Sequence, residues 1–221
     1  MSDQPATSGR IGILGGTFDP VHLGHITSAE QIARAFQLDF VLLVLSARPP
    51  HKGERAHARA EDRMTMLRLA TAGHPELVAC DLEATRAGPS YTVDTLRELR
   101  RVYPKTEMFV IIGIDAWSDV DTWKRPEDLL ALAHVIVTSR PGLDFPDTGV
   151  VPPVVARAEC WYDPTIQSYH HKSGHRLIAH PIEGINASST DIRHRARQGE
   201  SLKGLVPDTV TDFIQTKGVY A

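Results

Sequence analysis

The chain has 221 residues, 42% of them hydrophobic and 23% charged, a composition typical of an ordinary globular domain. A formal net charge of −3 argues against nonspecific nucleic-acid binding as the main activity. The longest apolar run, FVLLVL at 40–45, is too short to span a bilayer, so we expect no membrane partner. The two cysteines, Cys80 and Cys160, form no CxxC pair, which fits a reducing compartment.

The first nine residues are polar and lack the apolar stretch of a secretion signal. We therefore predict a flexible tail at 1–9, a single domain at 10–221 and a cytoplasmic location.

Short apolar runs alternate along the chain with segments of helical period. The predicted strands are 11–14, 40–45, 77–80, 108–112, 135–138 and 177–179. The predicted helices are 22–37, 60–72, 92–102, 127–133, 189–197 and 207–217. This order predicts a Rossmann-like, doubly wound α/β fold, with a mostly parallel sheet, helices on both faces and a small C-terminal helical part. Residues 142–176, rich in Pro and His, are predicted to be an excursion from the core.

The first strand leads into LGGTFDPVHLGH at 14–25, a glycine-rich turn of the kind that binds phosphate in parallel sheets. It is not a Walker-A loop, because the chain contains no Gly-Lys-Ser/Thr. The dinucleotide fingerprint also fits poorly: the glycines stand at 12, 15 and 16, and the nearest acid, Asp39, precedes the second strand.

The histidines of this motif offer a third interpretation. His22 and His25 are three residues apart, so they share one face of the first helical turn. Their imidazole N–H groups would add donors to those of the backbone, aimed at one anion, while Gly15 and Gly16 admit a ligand close to the backbone. The structural alternative is that one histidine caps or packs and the other is solvated.

A second candidate phosphate site lies near the C-terminus, where Ser188, Ser189 and Thr190 start a predicted helix that contains Arg193. Hydroxyl and N–H groups would receive phosphate oxygens there, and the guanidinium could bind them bidentately. A simple N-cap explains one serine but not the whole arrangement. Lys52, in the loop after the second strand, is either a further phosphate cation or a solvated lysine.

Three weaker candidate binding features lie in the middle of the chain. Residues 90–92, Ser-Tyr-Thr, open a predicted helix with Ser90 or Thr92 as N-cap, and an exposed helix start also binds anions. After the fourth strand, Gly113 permits close backbone approach and Asp115 could bond a ribose or base edge. Trp117 and Trp123 are core residues unless one forms a stacking platform.

Together these segments resemble a known family. GGTFDPVHLGH resembles the signature of the nucleotidyltransferase α/β-phosphodiesterase superfamily, whose shared element is (T/H)xGH near the first helix. Within it, the match is to the bacterial nicotinate-mononucleotide adenylyltransferases, through PPHK, SYTVDTL, GID with TW, SRPG and ASSTDIR in the same order over residues 12–220. One departure is Ala187, where the family usually has isoleucine.

The resemblance implies a role for each matching residue. It implies a catalytic set of His22, His25, Lys52 and Arg193. The implied ATP-binding residues are Gly15, Gly16, Thr17, Phe18, His22, His25, Arg140, Ser188, Ser189, Thr190 and Arg193. The implied mononucleotide-binding residues are Lys52, Ser90, Tyr91, Thr92, Gly113, Asp115 and Trp123, which leaves Trp117 structural.

The implied reaction is transfer of the adenylyl group of ATP to nicotinate mononucleotide, a step of NAD biosynthesis, with Mg²⁺ held mainly by the ATP phosphates. Two alternatives stay open: another acceptor, such as nicotinamide mononucleotide or phosphopantetheine, or a module that senses nucleotides without turnover. His170, His171, His175 and His180 lie close in sequence, but no regular scaffold is predicted for them, so we expect no specific metal site.

Overall fold

A computed structural model describes residues 9–48, 56–139, 145, 149–185 and 187–221, and residues 1–8 of the predicted tail lie outside this part. It contains one sheet with the strand order β3-β2-β1-β4-β5-β8-β7-β6. The strands are β1 Arg10–Gly16, β2 Phe40–Leu45, β3 Leu77–Cys80, β4 Glu107–Gly113, β5 His134–Thr138, β6 Cys160–Asp163, β7 Ser168–His171 and β8 Arg176–His180. Strands β1 to β5 and β8 are parallel, while β6 and β7 run antiparallel at the edge.

The helices are α1 Leu23–Ala35, α2 Ala60–Thr71, α3 Leu82–Thr85, α4 Thr92–Val102, α5 Ile114–Trp117, α6 Glu127–Leu132, α7 Ser189–Arg197 and α8 Asp208–Lys217. Short 3₁₀ segments occupy Val120–Thr122 and Val154–Glu159. Among the described residues, no helix is both long and apolar enough to cross a membrane.

Two apolar layers cover the two faces of the sheet, which confirms the predicted doubly wound fold. Along β2, Leu43 packs with Ile32 of α1 and Leu67 of α2, whereas its neighbour Leu42 packs on the other face with Leu96 of α4. Successive side chains of a strand point to opposite faces, so a strand covered on both sides is apolar throughout. This is why these strands appear as continuous apolar runs in the sequence.

The prediction for residues 142–176 was wrong in one respect. Part of this segment forms β6 and β7, a hairpin that joins β8 and extends the sheet by two strands. The strands are only four residues long, and Trp161 and Tyr162 of β6 are at least half exposed. A short, polar edge strand lacks the apolar run by which the other strands were found.

The buried His134 makes the stability of the fold depend on pH. It begins β5, its Nδ1 accepts the Arg176 N–H at 3.1 Å, and its Nε2 lies 3.0 Å from the Glu107 carboxylate. Burial, together with the charges of His175 and Arg176, lowers the pKa of His134 to about 4, against the attraction of Glu107. The neutral ring is therefore the form that the folded protein holds.

Because the pKa of His134 is lower in the folded than in the unfolded chain, its stabilising effect is complete above pH 6.5. It is lost as the pH falls towards 4. We expect the free energy of unfolding to fall by about 3 kcal/mol over this interval, as urea titrations at several pH values would measure. His134→Gln should flatten the dependence, because glutamine does not titrate. Identical pH profiles for wild type and His134→Gln would contradict the assignment.

Candidate active site

The strand order of the sheet reverses between β1 and β4, and this is its topological switch point. Helix α1, which follows β1, packs on one face, whereas α5 and α6, which follow β4, pack on the other. Chains that leave a parallel sheet in opposite directions open a crevice at the carboxyl ends of these strands. A cavity of about 750 Å³ lies there, lined from β1 by Gly15, Gly16 and Thr17 and from the end of β4 by Gly113 and Asp115.

The turn after β1 requires a glycine at position 16. A Cβ on Gly16 would lie 2.8 Å from ring carbons of Phe18, which is too close for any side chain. Phe18 itself is 2% exposed and has a left-handed backbone, with φ of 46°. In contrast, a Cβ on Gly15 would meet no described atom within 4 Å. Gly15 therefore presents bare backbone to the cavity, as the sequence predicts for close approach of a ligand.

The two histidines of the opening motif stack on each other. Their ring centroids are 3.6 Å apart with an interplanar angle of 26°. Helix α1 begins at Leu23, one residue later than predicted, so His22 is the N-cap. The His22 backbone N–H donates to Nδ1 of His25 at 3.2 Å. Since Nδ1 accepts this bond, a neutral His25 carries its proton on Nε2, the atom at the other end of the ring.

The start of α7 is fastened to the loop that carries the histidine pair. Oγ of Ser189 donates to the Pro20 carbonyl at 2.9 Å. Arg193 donates through Nη1 to the Asp19 carbonyl at 2.8 Å and through Nη2 to Oγ1 of Thr190 at 3.2 Å. The N-cap residue is Ser188, and its side chain makes no capping bond with any described residue. The fold thus joins the two strongest sequence motifs, which are almost 170 residues apart.

Helix α4 points its N-terminus at the cavity. Its N-cap is Tyr91, not Ser90 or Thr92 as the sequence suggests. The reason is that Ser90 is used elsewhere: its Oγ accepts the Arg48 N–H at 3.3 Å, and its own N–H donates to the Arg48 carbonyl at 3.0 Å. The first N–H groups of a helix have no acceptor within the helix. Those at the start of α4 lie beside Ser90, Tyr91 and Thr92, which all line the cavity.

Trp123 also lines the cavity, whereas Trp117 does not. Trp117 is 5% exposed and its indole N–H donates to the Val151 carbonyl at 3.1 Å, so it is a structural residue, as predicted. Next to Trp123, Nζ of Lys124 lies 4.6 Å from the Tyr91 ring centroid and 2.7 Å from Oδ2 of Asp94. These contacts attach the Trp123 loop to the start of α4.

Two predicted site residues, Lys52 and Arg140, lie outside the described part of the chain, and their roles stay predictions. The four clustered histidines do not form one group: His171 and His175 share Ser173 as a hydrogen-bond partner, while His170 stacks on Trp161. His171 bonds Glu159 and Ser173, His175 bonds the Leu130 carbonyl, and His180 contacts the Phe36 ring. Within the described ranges, no three His, Cys, Asp or Glu side chains are grouped to hold a metal ion.

Three buried residues beside the histidine loop were missed by sequence reasoning: Asp19, Arg63 and Tyr220. They are 5%, 2% and 9% exposed, respectively. Asp19 stood inside the opening motif without a role, and Arg63 occupies a buried position of α2, where a charged residue is unusual. Nothing in the sequence indicates that Tyr220 meets Asp19.

Comparison with known proteins agrees with this architecture. The profile of the cytidylyltransferase-like family matches residues 13–195. A Thermus thermophilus protein named "Probable nicotinate-nucleotide adenylyltransferase" is 42% identical over 96% of this chain and 99% of its own length. A relative of the same name from Citrifermentans bemidjiense is 38% identical over 96% and 98%.

Solved structures show the same fold at lower identity. The nicotinic acid mononucleotide adenylyltransferase of Plasmodium falciparum, complexed with NaAD, superposes with a TM-score of 0.72 at 16% identity, covering 96% of this chain and 97% of that one. The predicted fold and the resemblance found in the sequence are therefore both confirmed. The chain belongs to the cytidylyltransferase-like family and, within it, to the nicotinate-nucleotide adenylyltransferases.

Proposed function

We propose that this enzyme transfers the adenylyl group of ATP to nicotinate mononucleotide, producing the deamido dinucleotide and pyrophosphate. The observation that carries the proposal is the cavity at the switch point. It brings the turn of β1, the start of α4 and Trp123 together. The histidine pair follows the β1 turn in the chain, and the start of α7 is hydrogen-bonded to the same loop.

In this proposal the acceptor mononucleotide binds at the start of α4. Its N–H groups are donors only, so they suit a carboxylate, which accepts hydrogen bonds, better than an amide NH₂. We propose that the main chain around Tyr91 and Thr92 binds the nicotinate carboxylate and that Trp123 stacks on the pyridine ring. Gly113 and Asp115, at the end of β4, would contact the ribose side of the mononucleotide.

ATP, in turn, binds at the turn of β1 and the start of α7. Ser188, Ser189, Thr190 and Arg193 would hold the β- and γ-phosphates, while Gly15, Gly16, Thr17 and Phe18 admit the nucleotide. A 5′-phosphate oxygen of the acceptor attacks the α-phosphorus, a new P–O bond forms, and the bond to the β-phosphate oxygen breaks as pyrophosphate leaves. A phosphate monoester is already anionic, so no side-chain base is required.

Catalysis on this proposal is positioning and charge stabilisation. Nε2–H of His25, the His22 ring, Arg193 and Lys52 would offset the negative charge that builds on the phosphates. Histidine N–H groups fixed by a stack and a backbone bond need no reorganisation when the charge develops.

Mg²⁺ is part of the proposal as an ion that enters with ATP. The one described carboxylate of this loop, Asp19, is already occupied by three hydrogen bonds. The surrounding hydroxyls, imidazoles and guanidinium suit phosphate oxygens, so the ion would be held mainly through those oxygens and water. When bound, Mg²⁺ would neutralise phosphate charge. Activity should be lost in EDTA and restored by added Mg²⁺.

One assay tests the activity and its rivals. Pyrophosphate release from ATP is measured with nicotinate mononucleotide, nicotinamide mononucleotide and phosphopantetheine offered in parallel. We expect nicotinate mononucleotide to give the highest kcat/KM. A higher value with either other acceptor would reassign the substrate, and ATP binding without turnover of any of the three would indicate a sensing module.

Trp123→Ala tests the stacking role. Because stacking stabilises the ground state and the transition state alike, we expect the KM for nicotinate mononucleotide to rise about tenfold with little change in kcat. Steady-state kinetics with each substrate varied in turn would measure this. Trp161→Ala, which alters an exposed tryptophan of the edge strand, is the matched control. If only the KM for ATP changed, the assignment of Trp123 to the mononucleotide pocket would be wrong.

A further inference from the structure

The Asp19 side chain anchors the loop between β1 and α1 to other segments of the chain through hydrogen bonds. Its carboxylate is buried and accepts three hydrogen bonds: the His57 N–H at 2.7 Å, the Ala58 N–H at 3.1 Å and the Tyr220 hydroxyl at 2.8 Å. The carbonyl of the same residue accepts the bond from Arg193. Asp19 therefore connects the proposed phosphate-binding arginine to the segment before α2 and to the C-terminal segment.

Arg63 holds the surrounding backbone. Its guanidinium donates to four main-chain carbonyls: Thr17 at 2.7 Å, Ser46 at 2.9 Å, and Ala47 and Ala58 at 3.2 Å each. These carbonyls belong to the turn after β1, the loop after β2 and the segment before α2. The buried Arg63 guanidinium, by donating to these carbonyls, joins three loops that meet at the site.

Tyr220 completes this cluster from the other end of the chain. Its hydroxyl reaches Asp19 across 201 positions of sequence, and the residue is 9% exposed. Burial and the adjacent carboxylate raise the pKa of Tyr220, so the phenol keeps its proton and acts as a donor. The bond is made by one atom, which a Tyr→Phe change removes with little change in volume.

We propose that Tyr220 is a positioning residue for the ATP side of the site. By holding the Asp19 carboxylate, its hydroxyl fixes the Asp19 main chain, and this carbonyl in turn orients the Arg193 guanidinium towards the phosphates. The inference rests on the proposed function, since it takes Arg193 as a phosphate ligand. It adds that the C-terminal segment determines how well that ligand is placed.

The test is Tyr220→Phe in the full chain, with kinetics for both substrates and the affinity for ATP alone by calorimetry. We expect kcat/KM for ATP to fall about tenfold and ATP to bind correspondingly more weakly, while the KM for nicotinate mononucleotide changes less than about twofold. The matched control is Tyr103→Phe, which alters a buried tyrosine in the other core cluster, at the end of α4 away from the cavity.

A double-mutant cycle separates positioning from a merely structural role. If Tyr220 acts through Arg193, Tyr220→Phe should cost much less in an Arg193→Lys background than in wild type. A residue that only stabilises the fold would lower the melting temperature, but its effect would add to that of Arg193→Lys. Additive effects, or equal losses for both substrates, would overturn the proposal.

Two further results keep the test decisive. If Tyr220→Phe does not fold, Asp19→Asn takes its place, and an unchanged kcat/KM for ATP in that variant would refute the inference. If the wild-type enzyme shows no adenylyl transfer, the proposed function fails. The calorimetric comparison of ATP affinity between wild type and Tyr220→Phe then still decides whether the hydroxyl positions an ATP ligand.

Discussion

Replacing His25 with alanine is expected to lower kcat by about a hundredfold or more while the protein remains folded. The reason is geometric. Nδ1 of His25 is engaged by the His22 backbone, and its ring is stacked on His22, so its Nε2 proton is held in one direction before the substrate arrives. Removing the ring removes a preorganised donor that acts mainly when charge accumulates on the transferring phosphate. Single-turnover kinetics with saturating ATP and acceptor would measure the chemical step directly.

The control for this experiment is His74→Ala. His74 is a partly exposed histidine whose Nδ1 bonds Glu30 of α1, 2.7 Å away, so the same kind of side chain is lost from a helix contact outside the site. Full activity in His74→Ala, together with a circular dichroism spectrum of His25→Ala like that of wild type, would attribute the loss to the missing donor. An unimpaired His25→Ala enzyme would refute the catalytic role of the pair.

Thr92→Pro is expected to abolish most of the preference for an acid over an amide. Proline is tolerated at the first position of a helix, and Tyr91 before it already has the extended backbone that proline requires, with φ of −110° and ψ of 129°. The substitution therefore removes one N–H from the start of α4 without breaking the helix. Loss of one hydrogen bond to a carboxylate should reduce kcat/KM for nicotinate mononucleotide by about ten- to a hundredfold.

Thr92→Val is the matched control, because it also removes the threonine hydroxyl but keeps the N–H. We expect Thr92→Val to retain most of the acid preference, and we expect kcat/KM for nicotinamide mononucleotide to change little in either variant. Parallel progress curves with the two mononucleotides would give the ratio. If Thr92→Pro preserved that ratio, the carboxylate would have to bind elsewhere in the cavity.

The secondary structure was largely predictable because it follows from local patterns. All six predicted strands and all six predicted helices are present, with shifts of one or two residues at several ends. The elements that sequence reasoning missed are short. Helices α3 and α5 have four residues each, which is too few for a helical period to emerge. Strands β6 and β7 also have four residues, and they lack the apolar run by which the equally short β3 was found.

The candidate site was predictable to the extent that its residues lie in contiguous motifs. His22 with His25, Ser188 with Thr190, and Ser90 with Thr92 are each a few positions apart, so a helix start alone places them together. Their roles in binding and catalysis stay predictions, as does the contribution of Lys52 and Arg140. What the motifs could not indicate is that the start of α4 lines the cavity while the start of α7 is hydrogen-bonded to the loop after β1, since this depends on strand order.

The sequence by itself determined the fold class and the superfamily, because apolar runs covered on both faces and an ordered series of short motifs are both local properties. Only the tertiary structure decided that the switch point lies between β1 and β4, that the start of α7 is hydrogen-bonded to the Asp19–Pro20 loop, and that Arg63 and Tyr220 support this loop. The physical reason is that a buried carboxylate or guanidinium is stable only with partners, and here the partners are distant in sequence. Asp19 and Tyr220 become one unit only when the chain folds.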